Sequence, residues 1–296
     1  MPEIPNLICI VGQTASGKSD LAIRIALKWD GELICADSNT VRRELNIGTA
    51  KPSLADRKLV PHHMIDIIRP NDTFNAAEFK RLANEKIEEI YSRGKLPILV
   101  GGTGLYIDSV IYDYGFLSKG TRALRDELND LSTNELLMRI KAIGLKTNEI
   151  DSNNRHRLIR YIETKGQKPE KKSLRKNTLL LGIKIDKKEL STRITNRVDM
   201  MLENGLEHEV ELLVKKYGWD CEGLKGIGYS QWKEYFLGNE NSETVRQNII
   251  VATTKLAKRQ MTWFRRNKSI HWMDNTLKWN NVAELITTFL NTDVPN

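Results

Sequence analysis

The clearest chemistry in the sequence sits at Gly12-Gln13-Thr14-Ala15-Ser16-Gly17-Lys18-Ser19. A glycine, four intervening residues and then Gly-Lys-Ser is the spacing of a phosphate-binding loop. The glycines let the backbone turn tightly and aim its N–H groups at one anion. A helix opening there adds the partial positive charge of its N-terminus. Lys18 supplies a mobile cation for terminal phosphate oxygens, and Ser19 offers a hydroxyl ligand to Mg²⁺. A diphosphate or triphosphate is expected here. A second candidate is Asp37, at the end of the next apolar run. A carboxylate there could ligate the metal or take a proton from an incoming nucleophile. A third is the turn Gly101-Gly102-Thr103-Gly104, whose Thr103 hydroxyl could cap a helix or touch a substrate.

These groups need elements that bring them together. The apolar runs Leu7–Val11, Glu32–Ala36, His63–Ile67 and Leu96–Val100 read as strands, and 19–29, 76–92 and 105–112 as the intervening helices. Such alternation predicts a parallel α/β sheet with helices on both faces. Ligands collect at the carboxyl ends of such strands, so the loop, Asp37 and Thr103 are expected to face one crevice. Between 118 and 176 the strand signal disappears and the pattern becomes polar and helical, ending in an exposed basic linker at 165–176. Residues 178–185 read as a last core strand, and the remainder as helices at 187–203, 206–217, 229–237, 242–266 and 282–290. The expected division is therefore 1–117 with 177–296 as the α/β core and C-terminal helices, and 118–176 as a helical insertion domain.

Composition narrows the classes. The chain has 296 residues, 40% hydrophobic and 28% charged, and no apolar run approaches the ~20 residues of a membrane span. Disordered, collagen-like and low-complexity architectures are thereby excluded. The N-terminus runs straight into a strand without a secretory pattern. The three cysteines, Cys9, Cys35 and Cys221, lie far apart with no metal spacing. A reduced cytoplasmic protein without disulfides or structural zinc is expected. The net charge of +8 is focused in residues 153–176 and 255–268, which favours a polyanionic partner.

Several segments together resemble one family, the tRNA dimethylallyltransferases. They are GQTASGKS at 12–19, ADS at 36–38, IGTAKP at 47–52, PHHMID at 61–66, LVGGTGLY at 99–106, RITNRVDMML at 193–202, KGIGY at 225–229 and AKRQMTWFRR at 257–266. They occur in the family's order over roughly residues 5–275. The resemblance implies a nucleotide-kinase-like P-loop core with a helical, tRNA-binding insertion. It implies transfer of a dimethylallyl group from dimethylallyl diphosphate to N6 of the adenine just 3′ of the anticodon, with Mg²⁺ as cofactor. It also places Asp37 in the catalytic position, with Lys18, Thr103 and Arg197 beside it. The loop 12–19 with Arg193 and Arg197 would bind the diphosphate. Asp37, Ser38, Asn39, Thr40 and Thr103 match positions facing the tRNA. Segments that grip it match His156, Arg157, Leu158, Ile159 and Arg160, then Lys225, Gly226, Ile227, Gly228, Tyr229 and Ser230, then the region from Lys258, Arg259 and Gln260 to Trp263–Arg266. The partners implied are a tRNA anticodon stem-loop and the allylic diphosphate, with no membrane and a monomeric chain. Trp263 and Phe264, at helical spacing, read as core.

The stretch after Asp37 departs from the family's usual pattern. Thr40 stands for a glutamine, Arg42 for a tyrosine, Glu44 for a glycine and Asn46 for an aspartate; Ser230 stands for an arginine and Lys255 for a glutamine. A threonine cannot make a glutamine's two-point hydrogen bond, and Arg42 could reach a phosphate. Three alternatives remain open: a paralogue with altered tRNA preference or weak catalysis, a transferase acting on free adenine nucleotides, or a P-loop kinase for a nucleotide or other small molecule.

Overall fold

A computed structural model describes residues 4–118, 120–274 and 279–292. Its strands are β1 (Leu7–Gly12), β2 (Gly31–Ala36), β3 (His62–His63), β4 (Leu96–Gly101), β5 (Thr178–Ile183) and β6 (His271–Met273). They form one sheet in the order β3-β2-β4-β1-β5-β6, and every pairing within it is parallel. The helices of the described residues are α1 (Lys18–Lys28), α2 (Leu54–Leu59), α3 (Ala76–Ser92), α4 (Gly104–Ile111), α5 (Arg122–Asp130), α6 (Thr133–Ala142), α7 (Arg155–Glu163), α8 (Lys187–Glu203), α9 (Leu206–Tyr217), α10 (Lys233–Phe236), α11 (Ser242–Phe264) and α12 (Trp279–Asn291). Contacts divide the chain into two compact units, Met1–Ile111 with Leu174–Asn296, and Tyr112–Ser173.

In the larger unit, β1, β2 and β4 are buried at every position. That is why they read as unbroken apolar runs rather than alternating ones: parallel strands are covered on both faces. On one face Ile8, Ile10, Leu33, Cys35, Ile98 and Val100 pack with Ala22 and Ile25 of α1 and Ile286 of α12. The polar exception is Glu32. Arg93 donates from Nη1 and Nη2 to its two carboxylate oxygens at 2.6 and 2.8 Å, and His63 Nε2 lies 2.6 Å from Oε2. Those partners, Arg93 foremost, hold the Glu32 carboxyl down at about 2 despite burial. The three cysteines are free and buried. No helix of the described residues is long and apolar enough to cross a membrane.

The expected third strand differs from the observed one. Only His62 and His63 pair with β2, because Met64 and Asp66 take φ of 64° and 58°, which turns the chain out of the ladder. The Asp66 N–H then donates to Thr40 O, and those of Ile67 and Ile68 donate to Val41 O. The departing chain thus braces the segment after Asp37. The short elements α2 and β6 are not anticipated by the sequence pattern, nor are the 3₁₀ turns at Thr147–Glu149 and Glu222–Lys225. The expected helix at 229–237 begins as a 3₁₀ turn at Ser230–Trp232 before α10.

The smaller unit is helical. Leu128 of α5, Leu136 and Ile140 of α6, and Leu158, Ile159 and Ile162 of α7 form its core. Side chains of Thr121, Ser132 and Asn154 cap the three helices by accepting N–H bonds in the first turn. Arg155 donates to the carbonyls of Leu131 and Asn129. Arg160 donates to those of Leu117 and Ser118.

Candidate active site

Three strands that are neighbours in the sheet, β2, β4 and β1, end side by side. At ~4.8 Å per strand, the segments leaving their carboxyl ends start within about 10 Å of one another. Those segments carry Asp37, the Gly102-Thr103 turn and the phosphate loop. Gly101 permits the close approach at the ends of β2 and β4: a Cβ there would stand 2.1 Å from Ala36 O. Thr103 N–H donates to Ala36 O at 3.2 Å, and Ser38 N–H donates to Thr103 Oγ1 at 3.2 Å. The Asp37 turn and the Thr103 turn are stitched together by those two bonds.

The loop is held from behind. A Cβ on Gly12 would meet Ser16 Oγ at 2.8 Å, so only glycine lets the loop close over its own buried serine. Gly17 takes φ of 88° as the N-cap of α1, and no side chain caps that helix. Its first amides are therefore available to an anion. Gln260 of α11 accepts the Thr14 N–H at 2.7 Å through Oε1, and Gln13 Nε2 donates to Ala257 O at 3.0 Å. Arg197 Nη1 donates to Thr14 Oγ1 at 3.2 Å, and Lys18 Nζ donates to Gln13 O at 3.2 Å. Burial, and then the Arg197 cation, push Lys18 down to about 8, against the pull of Asp37. Burial also lowers Arg197. Two desolvated cations, Lys18 at the loop and Arg197 reaching it from α8, make a site that a phosphate group would stabilise.

Asp37 accepts the N–H groups of Asn39 at 2.8 Å and Thr40 at 3.3 Å, both on Oδ1. Both of those bonds engage Oδ1 and leave Oδ2 without a hydrogen bond among the described residues. A cavity of about 140 Å³ opens beside these groups, smaller than the ~300–1,000 Å³ of drug-sized sites. Its lining combines polar and charged residues, among them Thr14, Lys18, Ser19, Asp37, Asn39, Thr40 and Arg197, with the apolar Val100, Val198, Met201, Ile227, Ile249 and Leu256. The arrangement suits an amphiphile with an anionic head and a short apolar chain.

Among the expected site residues, Thr14, Lys18, Ser19, Asp37, Asn39, Thr40, Arg197, Ile227 and Gly228 line this cavity. Gln13 and Ser16 are buried and do not line it; Ser16 borders the neighbouring cleft instead. Arg193 is not in it: its Nη2 sits 2.6 Å from Glu189 Oε1, and the side chain borders the outer cleft along Ala15 and Gly17. Thr103 acts on the Ser38 amide beside it. Ser38, His156, Arg157, Lys225, Ser230, Lys258 and Arg259 are exposed.

Some expectations need correction. Leu158 and Ile159 are buried in the core of the smaller unit, and Tyr229 is 1% exposed beneath Gly48; their side chains cannot touch RNA in this fold. Arg160 spends its guanidinium largely on main-chain carbonyls. Arg42 does not reach a phosphate; it is buried and donates to Pro70 O at 2.8 Å and Asp72 O at 2.7 Å. Glu44, where the family's pattern has glycine, keeps a left-handed backbone with φ of 67°, its carboxylate accepting from Lys216 Nζ and Tyr217 OH.

The resemblance places Gln260 in a tRNA-contact segment, whereas here it holds the Thr14 amide of the phosphate loop; of the apolar lining only Ile227 was expected. A signal existed: Thr253, Ala257, Gln260 and Phe264 share one helical face of α11, but the run drew attention through its basic and aromatic residues. Phe264 is core, as expected, and Trp263 Nε1 donates to Asp108 Oδ2 at 3.1 Å.

The profile of the IPP transferase family matches residues 40–267. The chain belongs to that family. A tRNA dimethylallyltransferase of Staphylococcus aureus is 39% identical over 290 residues, covering 91% of this chain and 93% of that one. The crystal structure of the full-length tRNA isopentenylpyrophosphate transferase of Bacillus halodurans is similar with a TM-score of 0.74 at 34% identity, covering 97% and 96% of the two chains. A structure of a eukaryotic dimethylallyltransferase acting on tRNA is similar with a TM-score of 0.84 at 26% identity, covering 98% of this chain and 80% of that one. This IPP transferase therefore has the P-loop kinase-like core of its relatives, and the loop at 12–19 that opens that core lies just before the segment its family profile matches.

Proposed function

We propose that this IPP transferase moves the dimethylallyl group of dimethylallyl diphosphate to N6 of the adenine 3′-adjacent to the anticodon of tRNA, releasing diphosphate. The observation that carries this reading is the cavity lined by two cations, Lys18 and Arg197, by several apolar side chains and by one carboxylate, Asp37. A nucleotide kinase needs the first of these features and not the second.

The chain's residues divide the work. Lys18, Arg197 and the amides of the loop neutralise the diphosphate, which makes it a better leaving group as charge builds on it. The apolar side chains of the lining hold the allylic chain and exclude water from its C1. Adenine N6 is a weak nucleophile because its lone pair is delocalised into the ring. As the N6–C1 bond forms and the C1–O bond to diphosphate breaks, Asp37 Oδ2 takes the N6 proton. The Ser19 hydroxyl, a hard oxygen donor on the same cavity as Lys18 and Arg197, suits Mg²⁺. No cluster of three His, Cys, Asp or Glu occurs among the described residues, so the diphosphate would supply most of the coordination. Bound there, the metal would add positive charge to the departing diphosphate.

The acceptor must leave its stack to enter such a cavity, at a cost of a few kcal/mol. Exposed His156 and Arg157 of α7, with Lys225, Lys258 and Arg259, are the groups we assign to tRNA phosphates. Mass spectrometry of the anticodon-loop adenosine in cells with and without this gene tests the reading. Loss of the prenylated base in the deletion supports it, and an unchanged base refutes it.

A further inference from the structure

The cavity wall formed by Gly48, Thr49, Ala50 and Pro52 belongs to an irregular loop with no sheet or helix of its own. One side chain holds its turn. The Glu209 carboxylate, on α9, accepts the backbone N–H of Asn46 at 3.0 Å, of Ile47 at 2.9 Å and of Gly48 at 3.1 Å. It also accepts the hydroxyl of buried Tyr229 at 2.8 Å. Tyr229 in turn fills the space over Gly48, where a Cβ would collide with its ring at 2.6 Å. Gly228 closes the same contact, its own Cβ position lying 3.0 Å from Gly48 O. Three successive amides on one carboxylate are an anion nest occupied by the protein's own side chain. Lys51 anchors the far side, donating to Arg42 O, to Asn46 Oδ1 at 3.1 Å and to Asp66 Oδ1 at 2.6 Å.

We propose that Glu209 is a positioning residue for donor binding: by clamping the Asn46–Gly48 turn it fixes the wall of the cavity that carries Lys18, Asp37 and Arg197. Glu209 does not line that cavity, so it acts through the turn. The inference rests on the reading of the cavity as the allylic diphosphate site. A wall that contacts the donor equally in the ground state and the transition state changes KM and leaves kcat alone.

The test is steady-state kinetics on Glu209→Gln, with Tyr229→Phe and Glu207→Gln beside it. Glu209→Gln keeps the side chain's size but turns an N–H₂ toward the nest. Tyr229→Phe removes one of the four donors and keeps the ring. Glu207 pairs with Tyr235 OH and serves as the control on the same helix. The expected result is a donor KM raised roughly tenfold in Glu209→Gln, by analogy with charge-assisted hydrogen bonds, and less in Tyr229→Phe. kcat and the tRNA KM stay near the parent values, and Glu207→Gln is unchanged. A donor KM equal to the parent's, or a fall in kcat with no KM change, overturns the proposal. Should Glu209→Gln not fold, Tyr229→Phe alone decides by the same KM criterion. If the parent protein itself does not turn over dimethylallyl diphosphate, the cavity's assignment has failed instead, and that is visible before any variant is measured.

Discussion

Donor affinity should depend on pH through Lys18. Burial places this amine at about 8 in the free protein, and a bound diphosphate favours the charged form and raises it. The sign comes from linkage. Below about 8 the free protein already carries the proton, and affinity is flat. Above it, binding must first restore the proton, so affinity falls tenfold per pH unit. At pH 9 about one molecule in eleven is protonated, so Kd rises about elevenfold, close to 1.4 kcal/mol. The donor's own last ionisation, near the ~6 of phosphate esters, is complete before this window opens. Isothermal titration with a non-reactive thio-analogue of dimethylallyl diphosphate between pH 6.5 and 9.5 reads the effect directly. Lys18→Met should bind weakly at every pH and lose the slope. A flat profile in the parent, or the same slope in Lys18→Met, would refute the assignment of Lys18 to the diphosphate.

Particular contacts set other outcomes. In Gly102→Ala the new Cβ would stand 2.3 Å from Gln260 Nε2; the amide must swing aside and leave the Thr14 N–H unpaired, costing about 1–3 kcal/mol, read as weaker donor binding by titration. Asp37→Ala should retain donor and tRNA binding and nearly abolish transfer in single-turnover assays; undiminished transfer would remove Asp37 from its role. Leu158→Ala should destabilise the smaller unit by about 2–5 kcal/mol, measured by thermal or denaturant unfolding. Arg157→Ala should leave the melting temperature unchanged, weaken tRNA binding and lower the slope of log affinity against log salt by about 1.

How much the sequence shows depends on how local the cause is. The phosphate loop was legible because the glycine spacing, the preceding buried strand and the helix after it lie within one short stretch. The β2 and β4 ends were legible because strands covered on both faces are continuous apolar runs. β6 has three residues and no pattern to read. The third strand was overextended because positive φ at Met64 and Asp66 is not written in residue type. Glu209 acts on backbone amides far away in the chain, so no spacing reveals it, and for Gln260 the helical spacing marks the inward face of α11 without naming the amide it holds. The burial of Leu158, Ile159 and Tyr229 has one physical origin: a helix or turn that presents cations on one side buries its apolar residues on the other, so a motif matched as a run does not say which of its side chains face out.

The central claim is that one cavity both strips diphosphate from an allylic chain and deprotonates a purine amine. The most direct measurement incubates the purified protein with Mg²⁺, an anticodon stem-loop RNA and dimethylallyl diphosphate, then weighs the digested nucleosides. The account predicts one adenosine heavier by a single dimethylallyl unit on N6, with diphosphate released in equal amount, and neither product with Asp37→Ala. Diphosphate release without a prenylated adenosine, or a prenylated adenosine undiminished in Asp37→Ala, would contradict it.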